Sequence, residues 1–336
     1  MNIIIPMAGM GKRMRPHTLT TPKPLLPIAG KPIVQRLVED ISALCDDKIN
    51  KVAFIIGESF GPKVEKHLKE IAAAQGAEAV IVYQQEALGT AHAVYCAKSC
   101  LEGPVIVAFA DTLFRADFKI DLNKDGVIWV KQVEDPSAFG VIKLDAEGHI
   151  SEFIEKPEVF VSDLAIIGIY FFKNGEVLRK EIEHLLENDI TEKGEYQLTS
   201  ALENMKAKGM KFSPGQVDEW MDCGNKNATV QTNKSVLSNL NGALSRGRNV
   251  SSENSSIIEP CFIGEGVILK NSTVGPYVSI GDNSVVENSV ISNSIVQQHT
   301  HILHANLTNS MIGNHAVYDG RSNQVSMGDY SSQFSD

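Results

Sequence analysis

No stretch of this chain approaches the roughly 18 unbroken apolar residues that a membrane-spanning helix requires. The opening MNIIIPMAGMGKRM also lacks the cationic segment that precedes the apolar part of a secretory leader. The expectation is a soluble, cytoplasmic protein with no membrane partner. Cysteine is scarce: Cys45, Cys96, Cys100, Cys223 and Cys261 are odd in number and lack metal-ligand spacing, so neither a disulfide framework nor a zinc site is suggested. Excess positive charge is missing too, and a formal net charge of −10 argues against a nucleic-acid partner. What is present is ample core material. With 43% hydrophobic and 21% charged residues over 336 positions, disorder is excluded and one large domain plus a smaller one is affordable.

The most local of these absences concerns acids. Residues 1–38 contain Lys12, Arg13, Arg15, Lys23, Lys31 and Arg36 and no aspartate or glutamate. In an acidic protein, such a cation-only segment concentrates positive potential where an anionic ligand can be focused; an ordinary solvated face is the competing reading.

Along the first two thirds, short apolar runs alternate with amphipathic stretches: NIIIP then 32–45, KVAFIIG then 60–75, AEAVIVY then 89–99, and PVIVAFAD. Continuous apolar strands with helical stretches between them predict a parallel sheet covered on both faces. From about residue 126 the strands crowd together, as GVIWVKQV, FGVIKLD, ISEFIEKP and LAIIGIYFF, with helices expected at 175–188 and 198–208. This predicts a second half joined through mixed sheet. Residues 225–240 read as a closing helix, and 241–255, rich in Gly, Ser, Asn and Arg, as a linker.

Beyond it, aliphatic residues recur about every six positions at Ile257, Ile263, Ile268, Val274, Ile280 and Val286. The units IGEGVI, VGPYVS and IGDNSV place glycine after the aliphatic residue. A period of six predicts a hexapeptide parallel β-helix, each face turning one aliphatic side chain inward onto the coil below; an antiparallel sandwich would instead require period two. About three coils are expected over 256–320, followed by a polar tail at 321–336. The stacked coils, with an edge to cover, suggest a homo-oligomer.

Five motifs carry chemistry. In PMAGMGKRMRPHTLTTPKPLLP, Gly9 and Gly11 allow the backbone, with Ala8 and Lys12, to approach a phosphate chain, while Arg13 and Lys23 supply charge. The spacing is not that of a Walker loop, and Met14 stands where a dinucleotide fingerprint has its third glycine. In YQQEALGTAHAV, Gln84, Gly89 and Thr90 form a polar loop entering a helix. VAFADTLF brings Asp111 to the carboxyl end of a buried strand, where such sheets bind ligands. Phe139-Gly140-Val141 precedes FIEKP with Glu155 and Lys156, and EWMDCGN contains Trp220 and Asp222.

Together these segments closely resemble the sugar-phosphate nucleotidyltransferases, the family of glucose-1-phosphate thymidylyltransferase and its uridylyl and guanylyl relatives. The resemblance spans about residues 1–228. It implies a Rossmann-like mixed α/β sheet flanked by helices over 1–240, followed by a short left-handed parallel β-helix. It also implies transfer of a nucleotidyl group from a nucleoside triphosphate to a sugar-1-phosphate. Arg13 and Lys23 would hold the triphosphate; Lys12 departs from the family's usual Thr or Ser and adds charge. Gln84 would read the base, and its amide, both donor and acceptor, suits thymine or uracil. Asp111, with Ala110 in place of the family's glycine, and Asp222 would hold Mg²⁺, a hard ion suited to carboxylate and phosphate oxygens. Lys156 would pair with the sugar phosphate, and Gly140, Glu155, Gly168, Tyr170 and Glu195 would lie near the sugar; Trp220 is left as packing.

The resemblance favours dTTP or UTP with glucose-1-phosphate and leaves GTP-dependent guanylyl transfer to mannose-1-phosphate as an alternative. A non-catalytic regulatory subunit of the same plan would have lost the charged residues that are present here. His299, His301 and His304 raise the possibility of an acyltransferase base in the β-helix, but no matching motif surrounds them, and they read as solvent-facing turn residues.

Overall fold

The computed structural model describes residues 1–9, 11–117, 119–240 and 245–321. The chain divides into two compact units, one of 1–26 with 31–225, the other of 27–30 with the residues from 226 onward. Among the described residues no helix is long and apolar enough to cross a membrane.

The first unit is built around Asn2–Pro6, every residue of which is buried. It pairs in parallel with Lys51–Ile56 on one side and Val105–Ala108 on the other, and Glu78–Tyr83 extends the sheet beyond Lys51–Ile56. Helices α1 (Ile33–Leu44), α2 (Gly61–Ala74) and α3 (Thr90–Cys96) fall between these strands. Covering on both faces explains why the central strands are apolar at every position rather than alternating. The expected parallel core is therefore present, with Glu78–Tyr83 as a half-exposed edge.

Leu164–Phe172 then runs antiparallel to Val105–Ala108 and to Gly126–Gln132, turning the nine-stranded sheet into a mixed one. Its register slips between Ile166 and Tyr170, across Gly168 at φ +85°. Such a bulge bends the strand, and Ala165 pairs with Val141 of the hairpin Val141–Leu144/Ile150–Ile154. Helices α4 (Gly175–Glu187) and α5 (Leu198–Ala207) occupy the expected segments. Phe153, Phe172 and Phe212 meet edge to face in the core. The strand Phe212–Gln216, parallel to Gly126–Gln132, gave no strand signal because FSPGQ reads as a turn. Gly215 is needed there because a Cβ would lie 2.7 Å from the Trp129 indole.

The second unit contains α6 (Lys226–Asn239), the segment 27–30 and a parallel β-helix of the left-handed type. Among the described residues its three sheets hold five, five and four strands. Cys261 pairs with Val278, one coil of 17 residues ahead, whereas Val278 pairs with Ser294, one coil of 16 ahead. Ile263, Leu269, Val274, Ile280, Val286, Ile291, Val296 and Ile302 form the buried interior. Corners are made by residues at positive φ, and one column of them, Asn254, Asn271, Asn288 and His304, is joined side chain to side chain up the helix.

Three expectations change. The helix begins earlier than foreseen: Ser245–Arg246 and Ser251–Glu253, inside the supposed linker, already pair with Cys261–Ile263 and Ile268–Lys270. The asparagines that resembled linker composition are corner residues, Asn249 at φ +56° and Asn254 at φ +44°, where Asn tolerates the left-handed region. Up to five rungs replace the three expected, and α6, read as closing the first domain, groups with the β-helix. Residues 241–244 of that linker, and 322–336 of the tail, lie outside the described residues. Of the three histidines, His299 and His304 sit at corners, but His301 lies on the strand His301–Leu303 with its Nε2 buried.

Candidate active site

The loop after the first strand is shaped by Gly11. Its φ of +57° lies in the left-handed region, and a Cβ would come 2.9 Å from the Cβ of Lys23. Thr18 Oγ1 donates to the Gly11 carbonyl at 2.9 Å, and a 3₁₀ turn over Lys12–Met14 buries Met14 beneath the loop. Lys12 and Arg13 are left exposed above it. Gly9 differs: a Cβ there would meet no protein atom within 4 Å, so what its missing side chain leaves is room at the cavity wall.

A cavity of 410 Å³ opens over this loop, lined by Ala8, Gly9, Gly11, Lys12, Arg13 and Lys23, with Gln84, Gly89, Thr90 and Asp111 among the facing residues. Gly89, at φ +120°, is required by close packing, because a Cβ would sit 2.5 Å from the Tyr196 carbonyl oxygen. Gln84 is anchored by its backbone N–H on the Ile56 carbonyl at 2.9 Å. Thr90 Oγ1 donates to Gln197 Oε1 at 3.1 Å and accepts from Leu198 N at 2.9 Å.

A second cavity, of 340 Å³, is lined by Gly140, Glu155, Gly168, Tyr170, Trp220 and Asp222, with Phe139 and Thr199 beside them. Arg13, Thr90, Phe109 and Asp111 line both cavities. Glu155, with a side chain only 12% exposed, accepts from Thr199 Oγ1 at 3.3 Å and pairs with Lys156 Nζ at 3.3 Å. A Cβ on Gly140 would stand 3.2 Å from Glu155 Oε2, so glycine leaves this carboxylate room. Burial, then the charges of Glu155 and Asp111, push the Tyr170 hydroxyl far above its ordinary pKa, leaving it a neutral donor.

Where the cavities meet, an antiparallel ribbon pairs Thr112–Arg115 with Glu219–Asp222, placing Asp222 opposite Thr112. Cys223 N donates to the Asp111 carbonyl at 2.9 Å, tying the two aspartates' backbones together. Lys23 Nζ lies 2.9 Å from Asp111 Oδ2. Gly224 N donates to Asp222 Oδ1 at 2.9 Å, and the Arg13 guanidinium lies near the same glycine. Burial, then the negative charge of Asp111, raises the Asp222 pKa against the opposing Gly224 N–H, Lys23 and Arg13. Two carboxylates held together at a cost in like-charge repulsion form an oxygen donor pair that a divalent cation would relieve. Among the described residues no group of three or more His, Cys, Asp and Glu could hold a metal. Two carboxylates leave the rest of a divalent ion's shell to water and ligand oxygens.

Three expected site residues sit differently. Lys156 lines neither cavity: its side chain is 53% exposed, its φ is +42°, and it leans on Glu155. Its carbonyl accepts from Lys193 Nζ at 2.8 Å, which brings to this rim a second lysine that no motif marks. Glu195 lines the first cavity rather than the second, because Gln197 Nε2, donating to it at 3.1 Å, ties it to the Thr90 side of the site. Trp220, read as packing, does pack edge-on against Phe139 at 4.9 Å, but it also lines the second cavity. Phe109 and Thr199, on the cavity walls, were not foreseen; a lone Phe or Thr inside an apolar run carries no signal of its own.

Residues 2–239 match the family described as nucleotidyl transferase. The chain belongs to this family. It is 34% identical to the bifunctional protein GlmU of Methanocaldococcus jannaschii over 245 residues, 72% of this chain and 55% of that protein. The chain thus spans a little over half the length of that relative. It is 29% identical to the glucose-1-phosphate thymidylyltransferase of Streptomyces antibioticus over 307 residues, 84% of this chain and 83% of that one. The solved structure of a UDP-glucose pyrophosphorylase complexed with UDP-glucose superposes with a TM-score of 0.57 at 25% identity, over 70% of this chain and 98% of the other. The fold and the motif resemblance of this chain therefore agree, and both bear on the unit that holds the two cavities.

Proposed function

We propose that this nucleotidyl transferase moves a nucleotidyl group from dTTP or UTP to glucose-1-phosphate, giving an NDP-sugar and pyrophosphate. The observation that carries the proposal is the shared wall: Arg13 and Asp111 line both cavities, so ligands in the two would meet beside a cation and a carboxylate. The triphosphate is assigned to the glycine-loop cavity, with Gln84 on the base and Lys12, Arg13 and Lys23 on the phosphates. The sugar is assigned to the second cavity, where Glu155 and Thr199 offer hydrogen-bond partners to hydroxyls. Lys156 reaches the sugar phosphate by leaving Glu155, with Lys193 beside it.

In the reaction a phosphate oxygen of the sugar-1-phosphate bonds to the α-phosphorus as the bond to the β-phosphate bridging oxygen breaks. The attacking sugar-phosphate oxygen is already ionised at neutral pH, so no general base is needed. The barrier is one of bringing two anions together in line, which Arg13 and Lys23 lower by neutralising charge and fixing position. Asp111 and Asp222 are the residues that would hold Mg²⁺, which when bound supplies further neutralisation of the phosphate oxygens.

Pyrophosphate release measured with dTTP, UTP, GTP, CTP and ATP against glucose-1-phosphate and mannose-1-phosphate tests this. The expected result is magnesium-dependent release with dTTP or UTP and glucose-1-phosphate, abolished by chelator and by Asp111→Asn. Release with GTP and mannose-1-phosphate instead would replace the substrate assignment. Silence across the panel, with triphosphate still bound, would favour a regulatory subunit.

A further inference from the structure

Gln84, the residue assigned to the base, has a partner that the site description above does not use. Its Nε2 lies 3.1 Å from Nδ1 of His92, in the first turn of α3, and both side chains are partly buried. A glutamine amide has two faces that differ only in which atom is oxygen, so an unrestrained Gln can swap donor and acceptor at little cost. Its backbone is already held on Ile56, which leaves the amide orientation as the remaining freedom.

We propose that His92 is a positioning residue that locks the Gln84 amide so that the site selects bases with a ring N–H beside a carbonyl, uracil, thymine or guanine, over cytosine and adenine. The proposal rests on the nucleotidyl-transfer reading above and specifies how its base is chosen. A neutral imidazole with its proton on Nε2 presents a lone pair at Nδ1 and takes one Nε2 hydrogen of Gln84. The other Nε2 hydrogen then stands beside Oε1. Together they match such an edge, whose ring N–H donates to Oε1 while its carbonyl accepts from Nε2. Cytosine and adenine carry the reverse pattern, a ring nitrogen acceptor beside an amino donor, and would oppose acceptor to acceptor and donor to donor. Only a flipped amide reads that edge, and flipping would bring Oε1 against the Nδ1 lone pair.

The ring has the charge state this requires, and the lock holds while its proton stays on Nε2. Burial lowers the His92 pKa below its ordinary value, against the Glu86 carboxylate and a hydrogen bond with the Glu86 backbone, both of which favour a proton on the ring. The imidazole is therefore neutral at pH 7, with one nitrogen able to accept.

The test compares kcat/KM for UTP, dTTP, CTP and ATP in the wild type, His92→Leu and His92→Asn, each with Gln84 intact and again with Gln84→Ala. His92→Leu frees the amide, and the UTP-to-CTP preference is expected to fall by about tenfold, the loss of one discriminating hydrogen-bond pattern. The change should enter through KM for the triphosphate, with KM for the sugar phosphate unmoved. His92→Asn keeps an acceptor near the Nδ1 position and should restore most of the preference. In the Gln84→Ala background neither substitution should alter it, because His92 acts through Gln84. An unchanged preference in His92→Leu, an equal loss without Gln84, or a wild type that prefers CTP or ATP would each overturn the inference while leaving nucleotidyl transfer standing. A wild type inactive with all the triphosphates would overturn both together.

Discussion

Arg13 and Lys23 are both assigned to the phosphates, yet their surroundings differ. Lys23 is 12% exposed and paired with Asp111, whereas Arg13 is exposed and, among the described residues, makes no ion pair. Arg13→Ala should therefore lower kcat by on the order of 10²–10³ and leave the unfolding midpoint almost unmoved. Lys23→Ala should lower both, because it strips a carboxylate of its counter-ion; turnover assays and denaturant melts on the same two proteins separate these outcomes. Away from the site, burial raises Asp40 on α1 to about 6, against the opposing charge of Arg36. The sign follows from linkage: between pH 4 and 6 the folded protein keeps a proton that the unfolded chain has released, so stability contributed by this group is present below pH 4 and lost as pH rises through 6. Relative to Asp40→Asn, the wild type should lose at most about 3 kcal/mol across that window, read from melting curves at each pH.

At the scale of elements, what matters most is a ribbon whose two strands carry motifs but whose pairing the sequence does not show. Thr112–Arg115 and Glu219–Asp222 are four residues each and lie far apart in the chain, yet their antiparallel pairing aligns Asp222 with the residue after Asp111. The β-helix shows the opposite case, a strong signature with simple mechanics. Each coil rests on its neighbours, so stability is the sum of local stacking contributions. Leu269 is fully buried at the interior of one coil, and Leu269→Ala should cost about 2–5 kcal/mol, measured by denaturant unfolding. The exposed corner Asn288 should tolerate glycine far better, since its φ of +49° is one that glycine adopts freely.

At the scale of the whole molecule, the second unit is discontinuous in sequence. Asn233 on α6, fully buried, accepts from Ala29 N at 3.0 Å and from Ser279 Oγ at 2.7 Å, joining segment 27–30, α6 and a β-helix strand through one amide oxygen. Gly30 lies so close to Phe262 that a Cβ would be 2.2 Å from its ring. Asn233→Ala removes the shared acceptor and strands two buried donors, so it should destabilise by about 1–3 kcal/mol, seen as a lower thermal midpoint. Asn233→Asp, which keeps the acceptor, should be milder for those two bonds.

How much of this was legible in the chain depends on whether the signal was local. Among the described residues, periodicity marked five of the six α-helices to within two residues, because burying one helical face forces apolar spacing over ten or more positions, while the short α3 ends three residues before its expected end. The glycine loop, Gln84, Asp111, Glu155 and Asp222 were legible because unusual residue types cluster in short motifs, and the β-helix because its coils repeat. The strand over FSPGQ, the first rungs at 245–253 and the grouping of 27–30 with α6 were not, since each depends on a partner distant in the chain. The sequence alone thus determined the motifs, their order along the chain and the repeat that builds the β-helix. Tertiary structure decided that Arg13 and Asp111 lie on a wall common to two cavities, that Lys156 stays at the rim, and that His92 stands against Gln84. Side-chain adjacency is a property of packing, and no residue's own chemistry encodes its neighbour across the fold.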